Sequence, residues 1–251
     1  MEKYSFSQPV QIQNAAVDFR RRMKPSALLR CIEQISTDHA CAYGMDDVFF
    51  AQQKAVFLLG KQALRFVRVP RRGEQMTLTT FAEQSRRGSL KRITELRGED
   101  GQLAALVDAR WILVDTESQH ILRQPGWQAP EHYWNQQVEA ELPLHVHKAE
   151  PLTSAGVWRA DYSLCDQNGH LNNACYLDIA CDALPLAVLQ QEAVRFACLK
   201  YHRQLLMGQS MEVFVAPSGE GWYVLGRHEG QSAFECYLET GPLELSLIHI
   251  S

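Results

Sequence analysis

The sequence predicts an α+β protein built from two tandem copies of one unit, each an antiparallel sheet wrapped around a helix. Three observations predict it. First, the chain repeats itself in order. Residues 17–28 match residues 160–171 at an offset of 143. Arg65-Phe66-Val67-Arg68 leading to Gly73 matches Lys200-Tyr201-His202-Arg203 leading to Gly208 at 135. Gly101-Gln102-Leu103-Ala104 matches Gly230-Gln231-Ser232-Ala233 at 129. Second, in each copy one stretch of helical period is followed by segments of period two. Third, the copies are separated by a polar stretch carrying Pro130, Pro143 and Pro151. This organisation divides the chain into an N-terminal unit of residues 1–125, a linker of 126–152 and a C-terminal unit of 153–251.

In the first unit an extended segment leads to a helix that Ser26 can cap, with Leu28, Ile32 and Ile35 on one face. Strands follow at 63–69, 76–81, 90–96 and 103–114, set off by turn signals at Pro70-Arg71-Arg72-Gly73 and Gly98-Glu99-Asp100-Gly101. In the second, Asn172 or Asn173 can cap a helix presenting Tyr176, Ile179, Ala180 and Ala183. Its strands are expected at 194–204, 211–216, 222–227 and 232–239. The closing residues 245–251 read as a truncated strand or a foreign extension, and no function rests on His249.

Of 251 residues, 46% are hydrophobic and 22% charged, the balance of a globular protein. No apolar run is long enough to span a bilayer, and residues 1–13 lack the apolar core of a secretory signal. A cytoplasmic protein without a membrane span is expected. The seven cysteines form no CxxC pair and no zinc spacing, so they read as reduced thiols, mostly in the core. His145 and His147 have no evident third ligand, and neither a metal nor another cofactor is expected. The charge is uneven. Residues 1–125 carry 19 basic and 14 acidic side chains, whereas residues 126–251 carry 6 and 15. That asymmetry bears on partners rather than on fold.

No nucleophile elbow, HExxH, phosphate loop or dinucleotide fingerprint is present. One segment concentrates chemistry: Asp166-Gln167-Asn168-Gly169-His170-Leu171-Asn172-Asn173, directly before a helix. In an extended stretch Asp166, Asn168 and His170 would share one side. The helix start adds backbone N–H groups where negative charge develops. A carboxylate, an imidazole and such donors are what water needs to attack a thioester. A turn rich in Asp and Asn followed by a helix cap uses the same residue types. At the 143 offset the first unit has Met23, Pro25 and Ala27 at these places, which points to one working copy and one structural copy.

Asp166 to Tyr176 follows the pattern Asp-x-Asn-x-His-x-Asn-Asn-x-x-Tyr, and with it the chain resembles the acyl-ACP thioesterases, a plant and bacterial family of tandem hot-dog enzymes. The likeness runs from about residue 10 to 240. It includes Val69-Pro70-Arg71-Arg72-Gly73-Glu74 with Leu78-Thr79-Thr80, and Ala109-Arg110-Trp111-Ile112-Leu113. The resemblance implies hydrolysis of fatty acyl groups from an acyl carrier protein during fatty acid biosynthesis, with the chain held on a phosphopantetheine arm. No nucleic acid partner is implied, and a homodimer is compatible with it. It implies catalytic roles for Asp166, Asn168 and His170: Asn168 positions the thioester, His170 aids proton transfer and Asp166 orients its neighbours. The family often has a further acid in a Tyr-Arg-Arg-Glu-Cys stretch. Here Tyr201-His202-Arg203-Gln204-Leu205 stands instead. Gln204 can hold a water but cannot deprotonate it, which leaves Asp166 or His170 to act as base. An acyl-CoA thioesterase and a non-catalytic acyl-binding protein are the alternatives. The apolar first unit is expected to supply the acyl pocket. Its Arg20, Arg21, Arg22, Lys24, Arg71, Arg72, Arg86, Arg87, Lys91 and Arg92 are expected to meet an acidic carrier.

Overall fold

The protein is described by a computed structural model covering residues 4–84, 88–123 and 125–242. Arg86, Arg87 and the closing tail lie outside the described residues. The first half runs β1 (Phe6–Gln11), α1 (Pro25–Ala42), α2 (Asp47–Gln52), β2 (Ala55–Phe66), β3 (Gln75–Ala82), β4 (Ser89–Gly98) and β5 (Leu103–Asp115). The second repeats it as β6 (Thr153–Arg159), α3 (Asn173–Asp182), α4 (Leu186–Gln191), β7 (Glu192–Tyr201), β8 (Ser210–Ser218), β9 (Gly221–His228) and β10 (Gln231–Pro242). The ten strands form one antiparallel sheet in the order β1-β3-β4-β5-β2-β7-β10-β9-β8-β6. The halves meet where β2 pairs with β7. The crossing point is Ala63 opposite Cys198, flanked by Lys61 opposite Lys200 and Arg65 opposite Phe196. This is the tandem hot-dog architecture expected from the sequence.

The strands follow their side-chain period. In β3, Met76, Leu78, Thr80 and Ala82 are buried while their neighbours are more exposed. Helix α1 buries Leu28, Leu29, Ile32, Ile35 and His39, one stripe at three- and four-residue spacing. It starts at Pro25 rather than behind a Ser26 cap. Proline fits the first helical position because no N–H is wanted there. Ser26 is instead buried, and its hydroxyl has no hydrogen-bond partner among the described residues. In α3, Asn172 is the cap, its Oδ1 accepting from Ala174 N at 2.9 Å. Leu28, Ile32 and Ile35 share one core with Tyr176, Leu177 and Ala180, so the two helices lie together on one face of the sheet. Arg30 of α1 and Asp178 of α3 join them by a 2.8 Å ion pair.

The hydrogen bonds correct one register of the repeat. Val17 bridges Met23 as Cys165 bridges Leu171, and α1 starts at Pro25 as α3 starts at Asn173. The offset there is 148, not 143. The other two offsets hold. Val67 N and Arg68 N both bond Ala104 O, as His202 N and Arg203 N both bond Ala233 O.

The connecting segment is not a loose polar tether. Its earlier part closes the far end of α1, where Tyr133 packs with Met45, Ala82 and Leu90. Leu142, Leu144 and Val146 then lie against Ala63, Phe196, Cys198 and Tyr237 on the sheet's other face. His145 and His147 point outward in the same alternation. A buried carboxylate in each half holds this strap. Asp108 Oδ2 accepts from Leu142 N at 3.2 Å, and Glu235 pairs with Lys148. Among the described residues, no helix is long and apolar enough to cross a membrane.

Candidate active site

Residues 166–171 fold as a tight turn, not as an extended stretch. Asp166 Oδ1 accepts from the backbone N–H groups of Asn168 at 2.9 Å and His170 at 3.3 Å. Gly169 takes φ +73°, a conformation that glycine adopts without strain. The first half makes the same turn. Asp18 Oδ1 accepts from Arg20 N at 2.8 Å and Arg22 N at 3.0 Å. At the observed offset, Asp166 therefore has a counterpart in Asp18, while Asn168 and His170 stand where the first half has Arg20 and Arg22. The contrast with Met23, Pro25 and Ala27 does not survive.

The two turns close on different surroundings. Arg20 donates to the carbonyl oxygens of Gln190 at 2.8 Å, Glu192 at 2.8 Å and Leu189, filling the space between its turn and the second half. Beside Asn168 the equivalent space is a cavity of about 560 Å³. Asp166, Asn168, Asn172 and Asn173 line one end. Phe50, Phe57, Leu90 and Trp111, all from the first half, line it further on. The apolar wall comes from the first half. At its inner end Arg92, 3% exposed, donates to His39 Nδ1 at 3.0 Å, Thr80 Oγ1 at 3.2 Å and Tyr133 Oη at 2.7 Å. Burial, then the neighbouring Arg92 charge, lowers His39 to about 3, so its imidazole is neutral.

The end of the cavity at α3 is rich in polar contacts. Asn172 uses its carbonyl oxygens to hold Ala174 N and Cys175 N, so the cap itself leaves Asn173 N–H as the first-turn donor not engaged. Asn172 Nδ2 donates to Glu33 Oε2 on α1 at 3.0 Å. Tyr201 Oη donates to Asn173 O at 3.1 Å and accepts from Gln62 Nε2 at 2.6 Å, bracing the helix start from below. Tyr176 Oη accepts from Leu205 N at 3.2 Å and ties α3 to the loop after β7. Glu33 did not emerge from the sequence, where it reads as one polar residue beside an apolar helix stripe.

Of the four sequence-derived candidates, Asp166 and Asn168 line the cavity. His170 does not, although its backbone bridges Leu206. Gln204 does not line it either. Strand β7 stops at Tyr201, three residues short of the expected end, and leaves Gln204 exposed on the following loop. Cys175 is buried, and burial raises its thiol pKa despite the opposing pull of Arg30, so it is held protonated. The basic residues divide. Lys91 and Arg92 are buried, Lys91 donating to Val138 O at 2.6 Å, and Arg22 is 9% exposed. Arg21, Arg71 and Arg72 are exposed, but they adjoin the first half's turn, the one filled by Arg20.

The model of the acyl-ACP thioesterase N-terminal domain matches residues 3–125, and that of the C-terminal domain residues 154–240. No curated protein matches the chain. Among solved structures, an acyl-ACP thioesterase from Bacteroides thetaiotaomicron superposes with a TM-score of 0.86 at 18% identity, over 95% of this chain and 98% of its own. The 12:0-ACP thioesterase from Umbellularia californica does so with 0.78 at 14%, over 96% and 99%. At such identities the superpositions speak for the fold alone. Fold and domain matches together put the chain among the thioester hydrolases. It belongs to the acyl-ACP thioesterase family.

Proposed function

We propose that the protein hydrolyses the thioester joining a fatty acyl chain to the phosphopantetheine arm of an acyl carrier protein, releasing the free acid. The observation that carries this reading is the cavity, which begins at the Asp166 turn and the start of α3 and runs on between apolar side chains of the first half. An acyl chain laid along that wall brings its thioester to the polar end. There Asn168 positions the carbonyl, and Asp166 sets the turn that presents it. His170, on the same turn, assists proton transfer to the leaving thiol, and Gln204 acts only on water at the rim. Attack is by water directly, because burial keeps Cys175 protonated and no activated serine is visible.

Domain matches to acyl-ACP thioesterases support the carrier protein as the substrate's other half. Hydrolysis rates on acyl-ACP and acyl-CoA of the same chain length test it. A clear preference for the carrier protein is expected. A preference for the CoA ester would make this an acyl-CoA thioesterase, and binding without turnover would make it a non-catalytic acyl carrier. In oxygen-18 water under single-turnover conditions, the released acid is expected to carry label with no acyl-enzyme. A trapped acyl-Cys175 would sink direct attack.

A further inference from the structure

We propose that Glu33, on the helix of the first half, accepts the proton of the attacking water, so that the reacting site is assembled from both halves of the chain. The proposal rests on the thioesterase reading above. Glu33 lines the same cavity as Asp166, Asn168 and Asn173. Its Oε2 is fixed by Asn172 Nδ2 at 3.0 Å, while its Oε1 is buried with no hydrogen-bond partner among the described residues. A buried carboxylate oxygen without a donor is costly, of the order of 1–3 kcal/mol. A water bound between Glu33 and the thioester would satisfy it, with one hydrogen already aimed at the base.

Of the other acids lining the cavity, Asp47 is exposed on α2, and Asp166 and Asp46 take backbone N–H groups. Asp166 has the same backbone bonds as Asp18, whose turn is filled by the Arg20 side chain. Asp46 Oδ1 caps α2 by accepting from Phe49 N. Gln204 carries no acid. In the second half the position equivalent to Glu33, at the 148 offset, is Cys181. Where α1 carries a carboxylate toward the cavity, the equivalent place on α3 carries a thiol.

Burial raises the Glu33 pKa, and the nearby Asp166 charge adds to it. The amides of Asn172 and Asn173 and the charge of Arg30 act the other way without cancelling it. A carboxylate raised in this manner is a stronger base than an exposed one. The step balances. The water oxygen bonds the thioester carbon as its proton passes to Glu33 Oε1, the C–S bond then breaks, and the thiolate takes a proton. Thioester and water become acid and thiol.

The test is Glu33→Gln, which keeps the shape and an acceptor for Asn172 Nδ2 but cannot take a proton. Turnover of acyl-ACP is expected to fall by roughly 10²–10⁴-fold, the usual range for a general base. KM and thermal midpoint are expected to stay near those of the parent, and the acidic limb of the kcat–pH profile to disappear. The charged and titratable groups facing Glu33 are Asp166, Arg30 with its partner Asp178, Cys175 and Tyr201. Their retention isolates the effect. Turnover within tenfold of the parent overturns the proposal, and so does a larger loss with the acidic limb intact, which would make Glu33 a positioning group. A parent protein with no thioester turnover would overturn the thioesterase reading as well. If Glu33→Gln does not fold, Glu33→Asp carries the test: its acidic limb should remain with a shifted midpoint, and an unshifted midpoint overturns the proposal.

Discussion

The turns at residues 18–22 and 166–170 are the same backbone doing different things. Each is organised by an aspartate whose Oδ1 takes two N–H groups, and each precedes the helix of its half. What differs is the side chain two residues on. Arg20 reaches across and fills the space in front of it with three bonds to carbonyl groups. Asn168 is too short to do so and opens onto the cavity. A turn that is duplicated reports on folding, and the places where the copies diverge report on chemistry.

The strongest attempt to break this comparison is to give the second turn the side chains of the first, by Asn168→Arg with His170→Arg. The backbone already accepts arginine at both places in the other half, so the fold should persist. Turnover should fall by about 10²-fold or more, since both the opening and the proton-transfer group are lost. Retained activity would assign the chemistry elsewhere.

A second contrast is set by pH. Glu235 is 2% exposed, and its counterpart in the first half is Leu106. Burial pushes its pKa up, but hydrogen bonds from Lys148, Tyr223 and His202 outweigh burial and hold it at about 2, against an ordinary 4.5. A depressed folded-state value contributes stability that is fully present above about pH 4.5 and lost as the pH falls toward 2. Denaturant titrations should show this loss, with Glu235→Gln flattening it. An unchanged acid dependence would remove Glu235 from the account.

Smaller effects sharpen the role of the aspartates. Asp18→Ala and Asp166→Ala should destabilise the protein similarly, by about 1–2 kcal/mol, because each loses two bonds to backbone N–H groups. Kinetics of Asp18→Ala should stay near the parent. If Asp166→Ala is far less active than its loss of stability explains, Asp166 acts on substrate as well as on the turn. The smallest effect is expected for Gln204→Ala, a tenfold reduction in turnover or less, since one neutral hydrogen bond is worth about 0.5–1.5 kcal/mol. Severity equal to that of His170→Ala would make the amide a central group.

Much of this architecture was legible as period and punctuation. Strands β7 to β10 and β3 to β5 match their expected ranges within a few residues, because alternation survives wherever one face is buried. The opening of β2 was lost because Gly60 interrupts its pairing with β5, where the register shifts between Leu59 and Lys61. The 143 offset was set by a chance likeness of Asp18-Phe19 to Asp161-Tyr162. The chain's own hydrogen bonds equate Asp18 with Asp166 instead, and such a pattern has no signature in letters. Asn168 and His170 could be singled out in advance because they cluster. Glu33 could not, since its significance depends on α1 lying against the start of α3, a contact between residues 139 positions apart.

The junction of β2 with β7 has a consequence for how the halves could diverge at all. A half alone would present β2 or β7 as a bare strand edge, which invites pairing with another copy of itself. Two identical halves so joined would be bound to change together, every substitution appearing on both sides of Ala63 and Cys198. Covalent linkage supplies each half with an unlike neighbour at high effective concentration. One copy was then free to keep an arginine plug while the other kept an opening, without a second gene product to find and without like pairing with like.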